Sequence, residues 1–477
     1  MQPYSSKPVR YPVAPEALPI VLALLLGGIL ALAVGSLQPW LALGGVAAGA
    51  FLLLFLTHPA WGVLAVLLLR ASTDVSFRII PGAGLPGGLA GALPNIGLIV
   101  TLTLVGGLYI VSRGLPLISL PGGRLLALLL LTGLIGVARG GARLQAMNEW
   151  IPVLAAFATY ALVARLFSTP RQVQRVLDVI AASFVLPALL GLYQLAVGQG
   201  VRRGAEFQTP GIVGAFVHPN SFGFYLVLVS ALFLSQAVYA TRARRLLSAA
   251  ALCLSVGLLI GTYARVAWVG MLVVLMVVAA LRARVLLVGA PLAAFAIYRL
   301  IPSVGARLSD PLASEGSLQD RLFSLWPALI DAWLTATGAM GASVVVLVNR
   351  LAGLGPGVAP GLARFGGYSQ VTIPHNDYLR VLVEYGILGL VLHFALSGVL
   401  IVSAYRAWRE FKSGTQPEAA VVAMTFLAVA IAFPVMSITD NIFAHTANQV
   451  YFWALAGLTV AVSRWKRQEP LRFPDSQ

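Results

Sequence analysis

The sequence predicts an all-α polytopic membrane protein of about 12–14 transmembrane helices, with one large loop segment on the outer side. Three observations predict it. The 477 residues are 59% hydrophobic and 10% charged, with a mean hydropathy of +0.89, whereas soluble chains carry about 25% charged residues. Apolar runs of membrane-spanning length recur from Leu18 to Val462. The basic residues collect in alternate loops.

Candidate spans fall at roughly 18–35, 39–56, 60–70, 95–112, 124–138, 150–167, 176–197, 221–239, 246–263, 266–281, 285–300, 379–404, 420–436 and 448–463. The 60–70 run is short and suits half a hairpin. Lys7 and Arg10 precede the first run without a small-residue cleavage site, so it reads as a retained helix. The single cysteine, Cys253, excludes an intrachain disulfide and a cysteine-based metal cluster.

The net charge of +16 raises nucleic acid as a partner. Its distribution argues against that. With the N-terminus inside, inner segments hold 19 of the 32 basic and 6 of the 16 acidic residues, and outer segments hold the other 13 and 10. The positive-inside rule is satisfied. The chain then divides into N-terminal transmembrane helices (1–300), a large outer segment (301–378), and C-terminal helices with a cytoplasmic tail (379–477).

The outer segment is too long for a bare connector. Within it, Gln319–Thr335 has helical spacing, with Leu322, Leu325, Leu329 and Trp333 on one stripe. Val344–Leu354 suits an interfacial or re-entrant piece. Gly353, Gly355 and Gly357 make a corner that serves either turn geometry or close backbone approach to a ligand.

Unusual polar residues gather on the outer side: His218, Asn220, Arg265, Arg321, His375, Asn376, Asp440, Asn441 and His445. Asn376 or Asp377 suits the N-cap of a helix starting near Tyr378, whose free amides would form an anion site. Gly386 and Gly389 share one helix face, where small residues let helices approach. On the residues alone, His375 is a proton-transfer group or a structural histidine at a capped helix. Arg265 is a buried functional charge or an arginine snorkelling to the interface. Arg321 is an anion ligand or the partner of Asp320 or Asp331. Asn220 is a ligand or simple capping. No Asp-x-Asp pair exists, so the clustered carboxylates that hold magnesium are missing. No pair of intramembrane acids suggests a proton-coupled carrier.

Four pieces resemble the O-antigen ligase and O-antigen polymerase superfamily of bacterial membrane glycosyltransferases, over roughly 211–463. They are Phe216–Gly223 with His218 and Asn220; Thr262-Tyr263-Ala264-Arg265; Arg321-x4-Trp326 with the glycine corner; and Pro374-His375-Asn376 with Gly386-x-x-Gly389. The second departs from the pattern, carrying Ala264 where serine is usual.

The resemblance implies a GT-C-like membrane fold in the inner membrane, with the site facing the periplasm or exterior. It implies transfer of a glycan from an undecaprenyl-diphosphate carrier to a sugar hydroxyl acceptor, without metal or other cofactor. His375, Arg265 and Arg321 are then the expected catalytic residues: His375 as base, the arginines on the diphosphate. Asn376, His218, Asn220 and Tyr378 are expected to bind substrate. Tyr368, Tyr378 and Trp326 are candidates for stacking on sugars. Direct displacement is the simplest route, since no nucleophilic carboxylate is evident beside His375. Besides substrates, membrane lipid is the expected partner. A polysaccharide polymerase is the alternative within the superfamily, and a bicarbonate or polysaccharide transporter the alternative outside it.

Overall fold

The computed structural model describes residues 49–75, 99, 102–103, 106–107, 117–139, 143–203, 207–309, 319, 321–336, 344–360 and 373–465. The expected span at 18–35 and most of those at 39–56 and 95–112 lie outside the described residues, as do Asp320 and Tyr368. The chain divides into two compact units, residues 1–62 and 63–477. Of the first, 49–62 is described and is helical apart from a break at His58.

The helices are α1 (Pro59–Leu69), α2 (Gly123–Arg139), α3 (Arg143–Leu166), α4 (Pro170–Ser183), α5 (Val185–Val197), α6 (Pro219–Tyr239), α7 (Arg242–Gly261), α8 (Arg265–Leu281), α9 (Leu286–Leu300), α10 (Pro302–Ser309), α11 (Trp326–Ala336), α12 (Val344–Ala352), α13 (Asp377–Phe411), α14 (Pro417–Met436) and α15 (Thr446–Ser463). Among the described residues, six helical segments are long and apolar enough to cross a membrane, or seven if the pair α9–α10, bent by 102°, is one span. The protein is therefore a polytopic α-helical membrane protein.

One departure is a small antiparallel hairpin, β1 (Val201–Arg203) with β2 (Phe207–Gly211), in the loop before α6. Its signal in the sequence is short, and apolar periodicity does not report it. The expected stripe in 319–335 also shifts. A π-helical turn occupies Arg321–Leu325 before α11 begins. Leu325, Leu329 and Trp333 are buried, while Leu322 turns outward.

The core is built on α6, α14 and α15. Their sequences are apolar all round, as buried helices require, and 19 of the 21 residues of α6 and 16 of the 18 of α15 are buried. In a bilayer such helices associate through close packing rather than exclusion from water. Small residues supply that closeness. A Cβ on Gly457 of α15 would stand 2.7 Å from the Tyr160 carbonyl oxygen of α3. A Cβ on Gly223 of α6 would stand 2.8 Å from Ala267 Cβ of α8 and 3.2 Å from the Cβ of Ala264, which precedes that helix.

The Gly386 and Gly389 expectation is corrected in its detail. Gly386 does admit a second helix, since an added Cβ would strike Leu351 of α12, but it does so at a break rather than along a continuous helix face. It has φ 72° and breaks α13. The glycine corner docks against the break. Leu354 N–H donates to the Val383 carbonyl and Gly355 N–H to the Glu384 carbonyl, both at 3.0 Å. A Cβ on Gly386 would meet Leu351 O at 2.4 Å, and one on Gly389 would meet Tyr385 Cβ of the same helix at 2.2 Å. Gly353 and Gly355 thus serve approach to the chain's own backbone, at Glu384 and Gly136, while Gly357 packs on the Glu149 and Gln145 side chains.

Candidate functional site

The turn from Ser437 to His445, between α14 and α15, organises the site. It carries one short 3-10 turn, Ile442–Ala444, and its polar groups receive residues from three other parts of the chain.

His375 precedes α13. Its Nδ1 donates to Asp440 Oδ1 at 3.2 Å. The Asn441 N–H donates to the same oxygen at 2.8 Å, and the Asn220 amide donates to the other. The His375 side chain keeps 29% of its surface exposed and Asp440 only 4%. Burial opposes charge on Asp440. The hydrogen bond and charge of His375, the His445 imidazole and the Asn441 N–H outweigh burial and hold the carboxyl well below its usual range. An ionised Asp440 can only accept. The shared proton therefore sits on His375 Nδ1, and whenever the ring is neutral its lone pair is on Nε2.

The backbone at His375 is strained. Its φ is +50°, and among the described residues it shares a positive φ outside glycine only with Tyr263, two residues before Arg265. Such a conformation costs roughly 1–3 kcal/mol and persists where the surroundings over-determine it. Three contacts do so here. The Trp326 indole donates to the Pro374 carbonyl at 2.8 Å. Asp440 fixes the ring. Asn376 caps α13, accepting from Leu379 N–H at 3.0 Å.

Arg321 and Trp326 act as a pair. Arg321 Nη1 donates to the Thr439 carbonyl at 2.7 Å. The five-residue π turn thus spans two anchors: one on the carbonyl before Asp440, the other on the carbonyl before His375. A π turn places residues five apart on one face, and such turns recur at functional sites.

The remaining expected residues are placed as follows. Asn220 is not the helix cap. His218 is, its Nδ1 accepting from Asn220 N–H at 3.1 Å, which frees the Asn220 amide for Asp440. His218 itself is exposed. The Tyr378 hydroxyl donates to the Pro434 carbonyl at 2.7 Å, and its ring stacks on Phe394 at 4.9 Å, tying α13 to α14. Arg265 opens α8, half-buried. The contacts of Gly223 with Ala264 and Ala267 bring this helix start beside that of α6, at the same end of the bundle. His445, before α15, pairs its Nδ1 with Ser221 Oγ at 3.0 Å. Burial pushes its pKa down, against the pull of Asp440 and Asp74.

Sequence reasoning missed three relations. Asp440 is a carboxylate beside His375, contrary to expectation, although both its oxygens are occupied by donors. Asp377 is a second buried carboxylate. It accepts from Ser437 Oγ at 2.8 Å, Phe443 N–H at 3.1 Å and the Asn441 amide at 3.3 Å, locking α13 to the turn. A pair of acids also exists within the helices, where none was expected. Arg380 Nη2 bonds Glu149 Oε2 at 2.6 Å, and Arg380 Nε bonds Glu384 at 3.2 Å. The i, i+4 spacing of Arg380 and Glu384 was the available signal. Among the described residues no group of three or more His, Cys, Asp or Glu side chains is arranged to hold a metal. No protein-family model matches the chain, and no curated protein matches it.

Proposed function

We propose that the chain is a membrane glycosyltransferase of the O-antigen ligase or polymerase type. It takes a glycan from an undecaprenyl-diphosphate carrier and joins it to a sugar hydroxyl at the outer face of the inner membrane. The observation that carries this reading is the His375–Asp440 pair, with a buried carboxylate on Nδ1 and the basic nitrogen Nε2 on a half-exposed ring.

In this reading the acceptor hydroxyl attacks the anomeric carbon of the donor. Its proton passes to His375 Nε2. The new C–O bond forms as the bond to the diphosphate breaks, and the electron pair leaves with the diphosphate, inverting the anomeric centre. Asp440, its oxygens held by His375, Asn220 and Asn441, stabilises the imidazolium and stays out of the covalent chemistry. Arg265 and Arg321, with the amides at the start of α13, meet the charge developing on the leaving group. His218, Asn220, Asn376 and Tyr378 contribute to the substrate-facing wall or to its support. The fold is then GT-C-like, with residues 301–378 as a periplasmic segment and no divalent ion in the reaction.

A ligase uses a lipid core sugar as acceptor, and a polymerase a second lipid-linked glycan; the matched motifs favour the ligase. A transporter is the second reading, supported by the Arg380 ion pairs with buried Glu384 and partly exposed Glu149 on the membrane-spanning helices. The deciding experiment is a deletion strain complemented with wild type or His375→Ala. Lipid-linked glycan accumulating in the deletion and the variant, but not with wild type, supports the transferase. Unchanged surface glycan and precursor would sink it.

A further inference from the structure

The end of the bundle opposite the His375 pair carries a second polar constellation. Helix α6 starts beside that pair, through Asn220, and closes at Tyr239. Helix α8 starts at the same end as α6 and is capped at the other by Arg282. Helix α13 runs from Asp377 to Phe411. These three ends meet around two rings. Trp408 Nε1–H donates to the Tyr239 hydroxyl at 3.2 Å, and both side chains are buried. Gly414, with φ 79° in the turn after α13, brings the chain back onto the Tyr239 ring, where an added Cβ would stand 3.7 Å from Cδ1.

Three cations gather at the pair. The Arg282 guanidinium lies 5.7 Å from the Tyr239 ring centre, and Lys412 Nζ lies 5.8 Å from that of Trp408. Arg245 of α7 folds back, its Nη2 donating at 3.3 Å to the carbonyl of Ala240, the residue after Tyr239. All three are exposed, and among the described residues no carboxylate pairs with any of them. Arg244 differs from its neighbour, being engaged by Asp178 at 3.0 Å. Glu410 is two residues from both Trp408 and Lys412, and positions so spaced do not share a helix face.

A cation snorkelling to a membrane surface needs no ligand. The Tyr239 hydroxyl sets this place apart. It accepts the Trp408 proton, and its own proton has no acceptor among the described residues. A buried donor left unspent costs free energy that an anion's oxygen recovers. The Tyr405 ring, exposed and 5.8 Å from that of Trp408, lies about one turn deeper along α13, and exposed Val402 about one turn deeper again. Donors for a head therefore border an apolar face for a chain.

We propose that these helix ends seat an anionic glycerophospholipid of the adjacent leaflet. Its phosphodiester accepts from the Tyr239 hydroxyl and is drawn by Arg245, Arg282 and Lys412. An acyl chain lies along Tyr405 and Val402. A zwitterionic head brings a cation of its own against these three and is disfavoured. The seat uses none of the residues assigned to glycan transfer and stands apart from that reading.

The test reconstitutes the full chain in nanodiscs of equal parts phosphatidylglycerol and phosphatidylcholine. Native mass spectrometry then counts the lipids retained once the loosely held ones are stripped. Phosphatidylglycerol is retained in excess. A basic side chain at a membrane surface contributes about fivefold to anionic-lipid affinity, so Arg282→Gln and Lys412→Gln each lower retention by about that factor. Tyr239→Phe keeps the ring and deletes the donor. It lowers retention as well, and serves if a charge variant fails to fold. Arg171→Gln removes an exposed cation from the start of α4, just after α3, whose end meets Arg464 at the close of α15. This control at the same end of the bundle retains lipid as wild type does. Excess inorganic phosphate leaves the lipid in place. Equal retention of the two lipids overturns the proposal. So does an Arg171→Gln loss as large as that of Arg282→Gln, which marks a diffuse positive field. Displacement by inorganic phosphate also overturns it, since that marks a site for a free anion. None of these results bears on transfer, which is read from glycan in cells.

Discussion

Trp326 donates its indole proton to the carbonyl of Pro374 at 2.8 Å, and so the large segment before α13 holds the backbone on which His375 sits. Arg321, five residues earlier, does the same for the carbonyl before Asp440. The acid–imidazole pair is thus clamped from both sides by one π turn. His375 and Asp440 lie 65 positions apart in the chain, on either side of α13 and α14, and meet at 3.2 Å.

Removal of the pair's members should separate their roles. Loss of a general base costs roughly 10²–10⁴-fold in rate. His375→Ala is expected to lose transfer to that degree while still inserting and purifying. Asp440→Asn leaves the volume but lets the ring take either tautomer, and about 10²-fold loss is expected. Transfer assays on purified protein with lipid-linked donor measure both. Wild-type rates in His375→Ala would leave it as a residue of the helix start alone.

Trp326→Phe tests the clamp. It keeps an aromatic ring and deletes the donor to Pro374. A single hydrogen bond contributes about 0.5–1.5 kcal/mol net, so a small fall in melting temperature is expected. A fall in turnover of about tenfold with little change in KM is also expected, because the strained His375 backbone loses one of its three supports. Equal losses in stability and turnover would reduce Trp326 to packing.

Much of the helical pattern was legible. The runs at 221–239, 246–263, 266–281 and 420–436 lie within four residues of α6, α7, α8 and α14 at every boundary, because apolar length alone defines a buried span. His375, Asn376 and Arg321 stood out as polar residues in an apolar chain. Their partners did not. Asp440 lies 65 positions from His375, and a turn residue of that kind gives no periodic signal. The break at Gly386 was also hidden, since i, i+3 glycines read equally as a packing face or as a kink.

Gly386→Ala tests that break. The residue has φ 72°, and an added Cβ meets Leu351 O at 2.4 Å. A positive φ in a non-glycine residue costs roughly 1–3 kcal/mol before any clash is counted. A marked drop in melting temperature and faster proteolysis of the segment before α13 are expected. Gly398→Ala on the same helix, where an added Cβ meets nothing within 4 Å, is expected to be neutral or slightly stabilising. Equal behaviour of the two variants would contradict the docking of the glycine corner on α13.

The buried histidine predicts a pH effect of definite sign. Burial holds the His445 pKa below its ordinary 6.5. A group depressed in the folded state contributes stability that is complete above the unfolded value and lost as pH falls through the folded one. Melting temperature should therefore decline as the sample is acidified below about 6.5. His445→Gln should flatten that decline. Asp440, also depressed, contributes in the same sense at lower pH, its stabilisation eroding only below its ordinary 3.8. A decline that persists unchanged in His445→Gln would assign the effect to another group.

The arginine and metal predictions belong together. If guanidinium groups and helix amides meet the diphosphate charge, no divalent ion is needed. The absence of an Asp-x-Asp pair motivates this, as does the start of α8 at the same end of the bundle as the His375 pair. Transfer should survive EDTA. Arg265→Lys should be markedly impaired although the charge is kept, because an ammonium cannot reproduce the planar two-pronged fork that a guanidinium offers to phosphate oxygens. Charge-assisted bonds contribute about 1.5–3 kcal/mol each, so roughly 10–10²-fold in turnover is at stake if one prong is lost in the transition state. Loss in EDTA with rescue by magnesium would sink the metal-free route. A fully active Arg265→Lys would leave Arg265 as a point charge at the membrane interface, and the diphosphate would then rest on Arg321 and the start of α13.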